Sequence, residues 1–184
     1  MAFDITYDAQ YESWTLADYL DSWSFNFNNS NHGSSNTGGF NSGGLSGEEY
    51  AISGANNSYA FIAGSDTTDG LAYDINNHVL SGELDNVQFG HGLNGPSGGS
   101  FGLTDWELSI DGLDASGSGA GNDVHDIVWG LMNGDTSELE DYIVSESLLT
   151  QSEFDTAELG DLFPLPASAT GVQETSDLDV ALAA

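Results

Sequence analysis

No residue in this chain carries a permanent positive charge. Its 184 residues include 30 Asp and Glu and no Lys or Arg, for a formal net charge of −30. That imbalance restricts the fold before any element is placed. An internal ion pair can form only through one of the four histidines, so stability has to come from apolar burial and from hydrogen bonds. It also restricts partners. Nucleic acid is excluded because nothing can neutralise a phosphate, and anionic membrane surfaces are excluded for the same reason. A hydrophobic content of 39% is enough for one core and suits one domain. There are no cysteines, hence no disulfides. No stretch approaches a membrane span. The opening MAFDITYD has neither a basic region nor an apolar run of secretory length. Export through a C-terminal signal would leave the N-terminus bare in this way.

The hydrophobic period changes along the chain. Phe3–Tyr7 alternates and predicts a strand. Leu16, Tyr19, Leu20 and Trp23 then share one face at helical spacing, with Thr15 as cap and Asp18 three residues on. Asn28–Gly47 is Gly-, Ser- and Asn-rich and predicts a long surface loop without a core segment. From Glu49 to Asp111 the candidates are short strands: YAIS, SYAFIA, LAYDI, HVLSG, LDNVQF and WELSID. Asn-Asn, Gly-Ser and Asn-Gly-Pro elements punctuate them, which predicts antiparallel pairing. Asp114–Asn122 reads as a glycine-rich linker. Helical spacing returns at Val124, Ile127, Val128, Leu131 and Met132, capped by Asn122 and stopped by Asn133-Gly134. Gly130 costs that helix about 1 kcal/mol relative to Ala, which predicts close packing there or an early end. Leu139, Tyr142 and Ile143 form the next inward face, and Ser152 is the expected cap of a last helix over SEFDTAEL. The sum is an α+β fold, with helices packed on one side of an antiparallel sheet. The expected division is one domain over 1–163 and a flexible tail over 164–184.

The chemistry centres on Tyr73 and His78 in LAYDINNH. A phenol is a poor ligand while protonated, but a hard ferric ion favours the phenolate. An imidazole that takes the phenol's proton assists, as outer groups do for metal ligands generally. The competing reading puts Tyr73 in sheet packing and His78 at a turn. His32 lies in the polar loop and could reach a metal from the opposite side. His125 is read as a helix-edge residue with a structural hydrogen bond, and His91 as a turn residue between glycines. Calcium competes, since it takes oxygen ligands, but no EF-hand loop or tandem glycine–aspartate repeat is present. Nucleophile-elbow, zincin and phosphate-loop patterns are absent as well.

Taken in order, several segments resemble the secreted haemophores of the HasA type. These are WTLADYLDSW (14–23), Asn31-His32, NTGGFN (36–41), YAI (50–52), AFIAG (60–64), HVLSGELD (78–85), VHDIVWGLMNGD (124–135), SEFD (152–155) and DVALAA (179–184). The resemblance spans nearly the whole chain. It implies a sheet on one side, helices on the other, and haem held between two loops at one end. It places an axial histidine at His32, an axial tyrosine at Tyr73 and the histidine beside that tyrosine at His78. Pocket positions fall on Ile75, Leu80 and Met132. The segment Asp74–Asn77 is shorter than the family's corresponding segment. The function implied is extracellular capture of ferric haem b, Fe(III) protoporphyrin IX, from host haem proteins. Delivery would be to an outer-membrane receptor, with no turnover. Export would use an ABC-type system that reads the C-terminus, and the protein is expected to be a monomer without membrane insertion. The alternative is an acidic secreted module that binds calcium or a partner protein without haem.

Overall fold

The architecture is built around one long strand that serves two neighbours along a single edge. In the computed structural model, which describes residues 2–27, 38–54, 58–67 and 70–165, β1 (Asp4–Tyr7) is followed by a short 3-10 turn at Ala9–Tyr11 and by α1 (Leu16–Asn26). The strands β2 (Gly38–Phe40), β3 (Ser46–Gly47), β4 (Glu49–Ser53), β5 (Tyr59–Gly64) and β6 (Leu71–Asp74) come next. Then follow β7 (Val79–Ser97) and β8 (Ser100–Gly117). The helices α2 (Asp123–Met132), α3 (Ser137–Ser145), α4 (Gln151–Thr156) and α5 (Leu159–Leu162) complete the described chain. The antiparallel sheet is open, in the order β1-β8-β7-β5-β4-β2, with β6 paired to β7 and β3 to β6.

Strand β7 is the pivot. One edge pairs with β8 nearly throughout. The other takes β6 first, with Tyr73 opposite Leu80, and then β5, from Gly64 opposite Asn86 to Tyr59 opposite His91. At the changeover Gly82 adopts φ +124, and a Cβ there would lie 2.1 Å from the Gly70 carbonyl oxygen. Only glycine accommodates that conformation and that contact together. The sequence therefore suggested two strands, HVLSG and LDNVQF, where one runs through.

The caps and stripes expected of α1 and α2 are present, whereas the last expected helix, SEFDTAEL, is divided: α4 ends at Thr156 and α5 begins at Leu159. Thr15 accepts from Asp18 N at 3.0 Å and Asn122 from His125 N at 3.1 Å. The α1 stripe Leu16, Tyr19, Leu20 and Trp23 is fully buried. Gly130 marks close packing: an added Cβ would sit 2.8 Å from the Asp135 carbonyl oxygen. Trp23 is the centre of the main core. Its ring stacks on Phe27 at 4.6 Å and meets Phe89 and Phe61 edge-on. On the opposite sheet face, Ala51, Ala60, Ile62 and Leu93 form a smaller apolar cluster beneath Phe101 and Leu103.

Several expectations need correction. The polar stretch expected to be loop to Gly47 contains β2 and β3, and Phe40 is buried. Backbone pairing with β4 and β6 recruits these glycine-rich residues, which have too few side chains to signal a strand. Asn94-Gly95-Pro96 lies inside β7 at a register shift, and the actual turn is at Gly98-Gly99. Strand β8 continues to Gly117 and absorbs half of the expected linker. The cap of α4 is Thr150, whose side chain and Glu153 form a reciprocal capping box, so the helix begins one residue before Ser152. The segment 166–184, which carries most of the expected tail, lies outside the described residues.

Because the molecule has no cationic side chains except histidine, its pH response should be inverted in mild acid. Burial raises the carboxyl of Asp111, with the charges of Asp4 and Asp66 adding to the effect and a Ser109 hydrogen bond opposing it. Burial likewise raises Glu140, with Asp21, Asp141 and Asp135 adding and a Thr136 hydrogen bond opposing. A carboxyl raised in the folded state penalises folding once ionised, and the penalty fades as pH falls through the folded value. Asp135 is lowered by its bonds from Ser137, so its contribution is lost only in stronger acid. The melting temperature should thus be higher at about pH 5 than at about pH 8. A thermal scan showing steady loss over that interval would contradict this account.

Candidate functional site

Strand β6 ends where it turns back onto β7, and that turn sets the site. Asp74 organises it: Oδ1 accepts from Asn76 N at 2.8 Å and Oδ2 from Asn77 Nδ2 at 2.7 Å. These bonds, the Asn76 backbone one foremost, hold the Asp74 carboxyl below its ordinary range. His78 closes the turn at φ 56, in the left-handed region. The result brings the Tyr73 hydroxyl to 2.8 Å from His78 Nδ1. Either group can donate across this contact; with the phenol as donor, Nδ1 accepts and the neutral imidazole carries its proton on Nε2. Tyr73 is further fixed by its backbone N–H, which donates to the Leu45 carbonyl at 2.7 Å.

Tyr73 stands on the wall of a groove of about 360 Å³. Leu80, directly opposite Tyr73 in the ladder, forms part of the lining, and α2 contributes His125, Val128, Trp129 and Met132. The remaining wall comes from Phe40, Leu45 and Tyr50. The groove is predominantly apolar, and it opens between the sheet end and α2. Its exposed rim carries Trp129 at 57% and Leu45 at 50%. Exposed apolar groups flanking an apolar groove mark a surface meant to be covered.

Three polar contacts fix the walls. The Tyr50 hydroxyl donates to Met132 Sδ at 3.4 Å. Burial, together with the nearby Tyr73, pushes the Tyr50 phenol up to about 12, so it stays protonated at neutral pH. The Leu80 N–H donates to His125 Nδ1 at 3.1 Å, and the Leu80 carbonyl accepts from Asn122 Nδ2 at 3.0 Å. These last bonds tie the first turn of α2 to the start of β7.

Of the expected site residues, the structure brings Tyr73, Leu80 and Met132 to the groove and sets His78 against Tyr73. Ile75 is 58% exposed in the turn and is not part of the groove lining. His32 lies outside the described residues. His125 has the structural bond expected of it, but it also lines the groove, which the helix stripe alone did not reveal. Trp129, Leu45, Phe40 and Tyr50 were missed as well. The only signal for Trp129 was a large aromatic off the buried stripe of α2.

His91 was expected at a turn but lies within β7, opposite Asp105. Its Nε2 is 2.9 Å from Glu107 Oε1. Glu107 is buried and also accepts from the Tyr11 and Tyr19 hydroxyls, at 2.7 and 2.9 Å. Burial and the Glu107 charge both push the Tyr19 phenol up. This network satisfies a buried carboxylate and joins α1 to the sheet, far along β7 from the groove. A second cavity, of about 400 Å³, lies between α2 and α3 and is lined by Asp123, Asp126, Glu138 and Asp141 among others. Among the described residues no three His, Asp or Glu side chains converge as a metal site would require.

The comparisons with known proteins agree on one family. The family model described as HasA, heme-binding protein A, matches residues 1–184. A curated relative, the hemophore HasA of Serratia marcescens, is 37% identical over 149 residues, which cover 76% of this chain and 79% of that protein. Among solved structures, the holo hemophore HasA of Yersinia pestis superposes with a TM-score of 0.68 at 26% identity, covering 78% of this chain and 89% of the other. A hexagonal apo form of the same Yersinia pestis protein gives a TM-score of 0.71 at 26% identity, covering 85% and 94%.

Proposed function

The chain belongs to the HasA family of heme-binding proteins, and on that premise we propose that it is a haemophore that binds ferric haem outside the cell and delivers it to a receptor. The observation that carries the reading is the 2.8 Å hydrogen bond between the Tyr73 hydroxyl and His78 Nδ1 on the wall of an apolar groove. Tyr73 supplies the anionic oxygen ligand to iron. Ferric charge favours the phenolate, and the lone pair on His78 Nδ1 is positioned to receive the departing proton. Leu80 and Met132 contact the porphyrin, and Ile75 covers it from the turn. His32 supplies the second axial ligand, a position drawn from the family resemblance. With both axial positions filled no open coordination site remains, which accords with a carrier that has no turnover.

The cargo is haem b. Its sources are host haem proteins, and its destination is an outer-membrane receptor. The haem-binding domain spans 1–163. The tail over 164–184 carries the signal for an ABC-type export system, so the protein is secreted and acts as a monomer in solution. Among the described residues no helix is long and apolar enough to cross a membrane. A net charge of −30 keeps copies apart and favours solubility.

Titration with haemin tests the reading. A saturable Soret band should appear, and added salt should strengthen binding, because the haem carboxylates approach a chain of the same sign. Absence of a saturable band would end the proposal. Replacing His78 with alanine should weaken ferric haem binding by about 10–100-fold, the usual cost of removing an outer partner of a metal ligand. The Tyr73 ligand itself should be retained. Unchanged affinity in that variant would remove His78 from the mechanism.

A further inference from the structure

The groove contains a second imidazole whose protonation pattern is set by the backbone. His125 Nδ1 receives the Leu80 N–H at 3.1 Å. A backbone N–H can only donate, so Nδ1 must present a lone pair and the neutral ring must carry its proton on Nε2. The arrangement is braced twice. Asn122 accepts from His125 N at 3.1 Å while donating to the Leu80 carbonyl at 3.0 Å. Trp129, one helical turn on, lies nearly parallel to the His125 ring, at 19° and 6.1 Å.

Nε2 has no hydrogen-bond partner among the described residues. The two phenols of the groove are already committed, Tyr73 to His78 and Tyr50 to Met132. His125 therefore leaves an N–H donor open on the wall of a site whose proposed cargo ends in two carboxylates. The chain has no Lys or Arg anywhere to meet them. Nearby fixed charge is of the wrong sign, since Asp123 and Asp126 flank His125 on α2. A directed neutral donor is the remaining means of holding a carboxylate there.

Resting on the haemophore reading, we propose that His125 holds a porphyrin carboxylate through Nε2–H, and that the Leu80 bond bars the same ring from iron. Ligation through Nε2 would require the proton to move to Nδ1. There it would face the Leu80 N–H, donor against donor, at a partly buried position.

The test compares haemin with its dimethyl ester, which keeps the iron and ring but loses both carboxylates. At high ionic strength, which screens the like-charge repulsion, the native protein should bind haemin about tenfold more tightly than the ester, the scale of one charge-assisted hydrogen bond. In His125→Asn the amide oxygen can still serve Leu80, but the far N–H is gone. That preference should collapse toward unity, with the Soret and charge-transfer bands unmoved. A preference equal to that of the native protein, or bands that shift on substitution, would overturn the proposal. A second readout needs no variant. Nitrogen-15 spectra of histidine-labelled native protein should show the proton on His125 Nε2. Added gallium(III) protoporphyrin IX should keep that proton and move its resonance downfield. Its loss on binding, or a proton on Nδ1, would also overturn the proposal. If native protein takes up neither haemin nor the ester, the haemophore reading itself fails, whereas tight haemin binding without ester discrimination defeats only the role given to His125.

Discussion

Tyr73→Ala is expected to lower affinity for ferric haem by more than about a hundredfold, beyond the usual range for outer partners of a ligand. The substitution removes three things together. The anionic oxygen that offsets ferric charge is lost. His78 Nδ1 loses the hydroxyl 2.8 Å away. The wall opposite Leu80 loses its ring. Tyr73→Phe separates these contributions, because it keeps the ring and deletes only the oxygen. Its affinity should fall nearly as far as that of the alanine variant. If phenylalanine binds ferric haem like tyrosine, the groove works by apolar contact alone and the phenolate mechanism is wrong. Fold integrity should survive both changes, since Tyr73 is only half-buried at the end of a short strand, and circular dichroism checks this directly.

Trp23→Ala should have the largest effect on stability, about 3–5 kcal/mol. The side chain is 1% exposed, and its loss opens a cavity between Phe27, Phe61 and Phe89. It also deletes the Nε1–H that donates to the Ala60 carbonyl at 3.3 Å, and with it a buried hydrogen bond. Against a typical total of about 5–15 kcal/mol, and in a chain that repels itself, the variant should populate unfolded states at 37 °C. Trp23→Phe should recover part of the loss. A denaturant midpoint for Trp23→Ala close to that of the native protein would show that the core does not depend on this ring.

How much of this was legible depended on whether local periodicity could report it. Helices α1 and α2 were, because their stripes and caps are written within a dozen residues. The Tyr73–His78 contact was legible for the same reason, since a single turn separates the partners. The family resemblance then gave that pair its meaning. The continuity of β7 was not legible: glycines and Asn read as breaks, and only the Gly70 carbonyl, reached through the fold, explains why Gly82 must be glycine. The His91–Glu107–Tyr19 network was not legible either. Its members come from β7, β8 and α1, and pairing register rather than spacing brings them together. Phe40 sat among Gly, Ser and Asn and gave no period, yet backbone pairing with β4 carries it into the core. The groove is assembled from β2, β4, β6, β7 and α2, so Trp129 and Leu45 looked like isolated surface residues until those elements met.

The central claim is that the Tyr73 oxygen binds ferric iron as a phenolate. Resonance Raman spectroscopy of the ferric haem-loaded protein tests it most directly, with excitation in the phenolate-to-iron charge-transfer band. Phenolate ring modes should appear, shift when tyrosine is ring-deuterated, and vanish in Tyr73→Phe. Absence of those modes from the native complex, or their persistence in Tyr73→Phe, would contradict it.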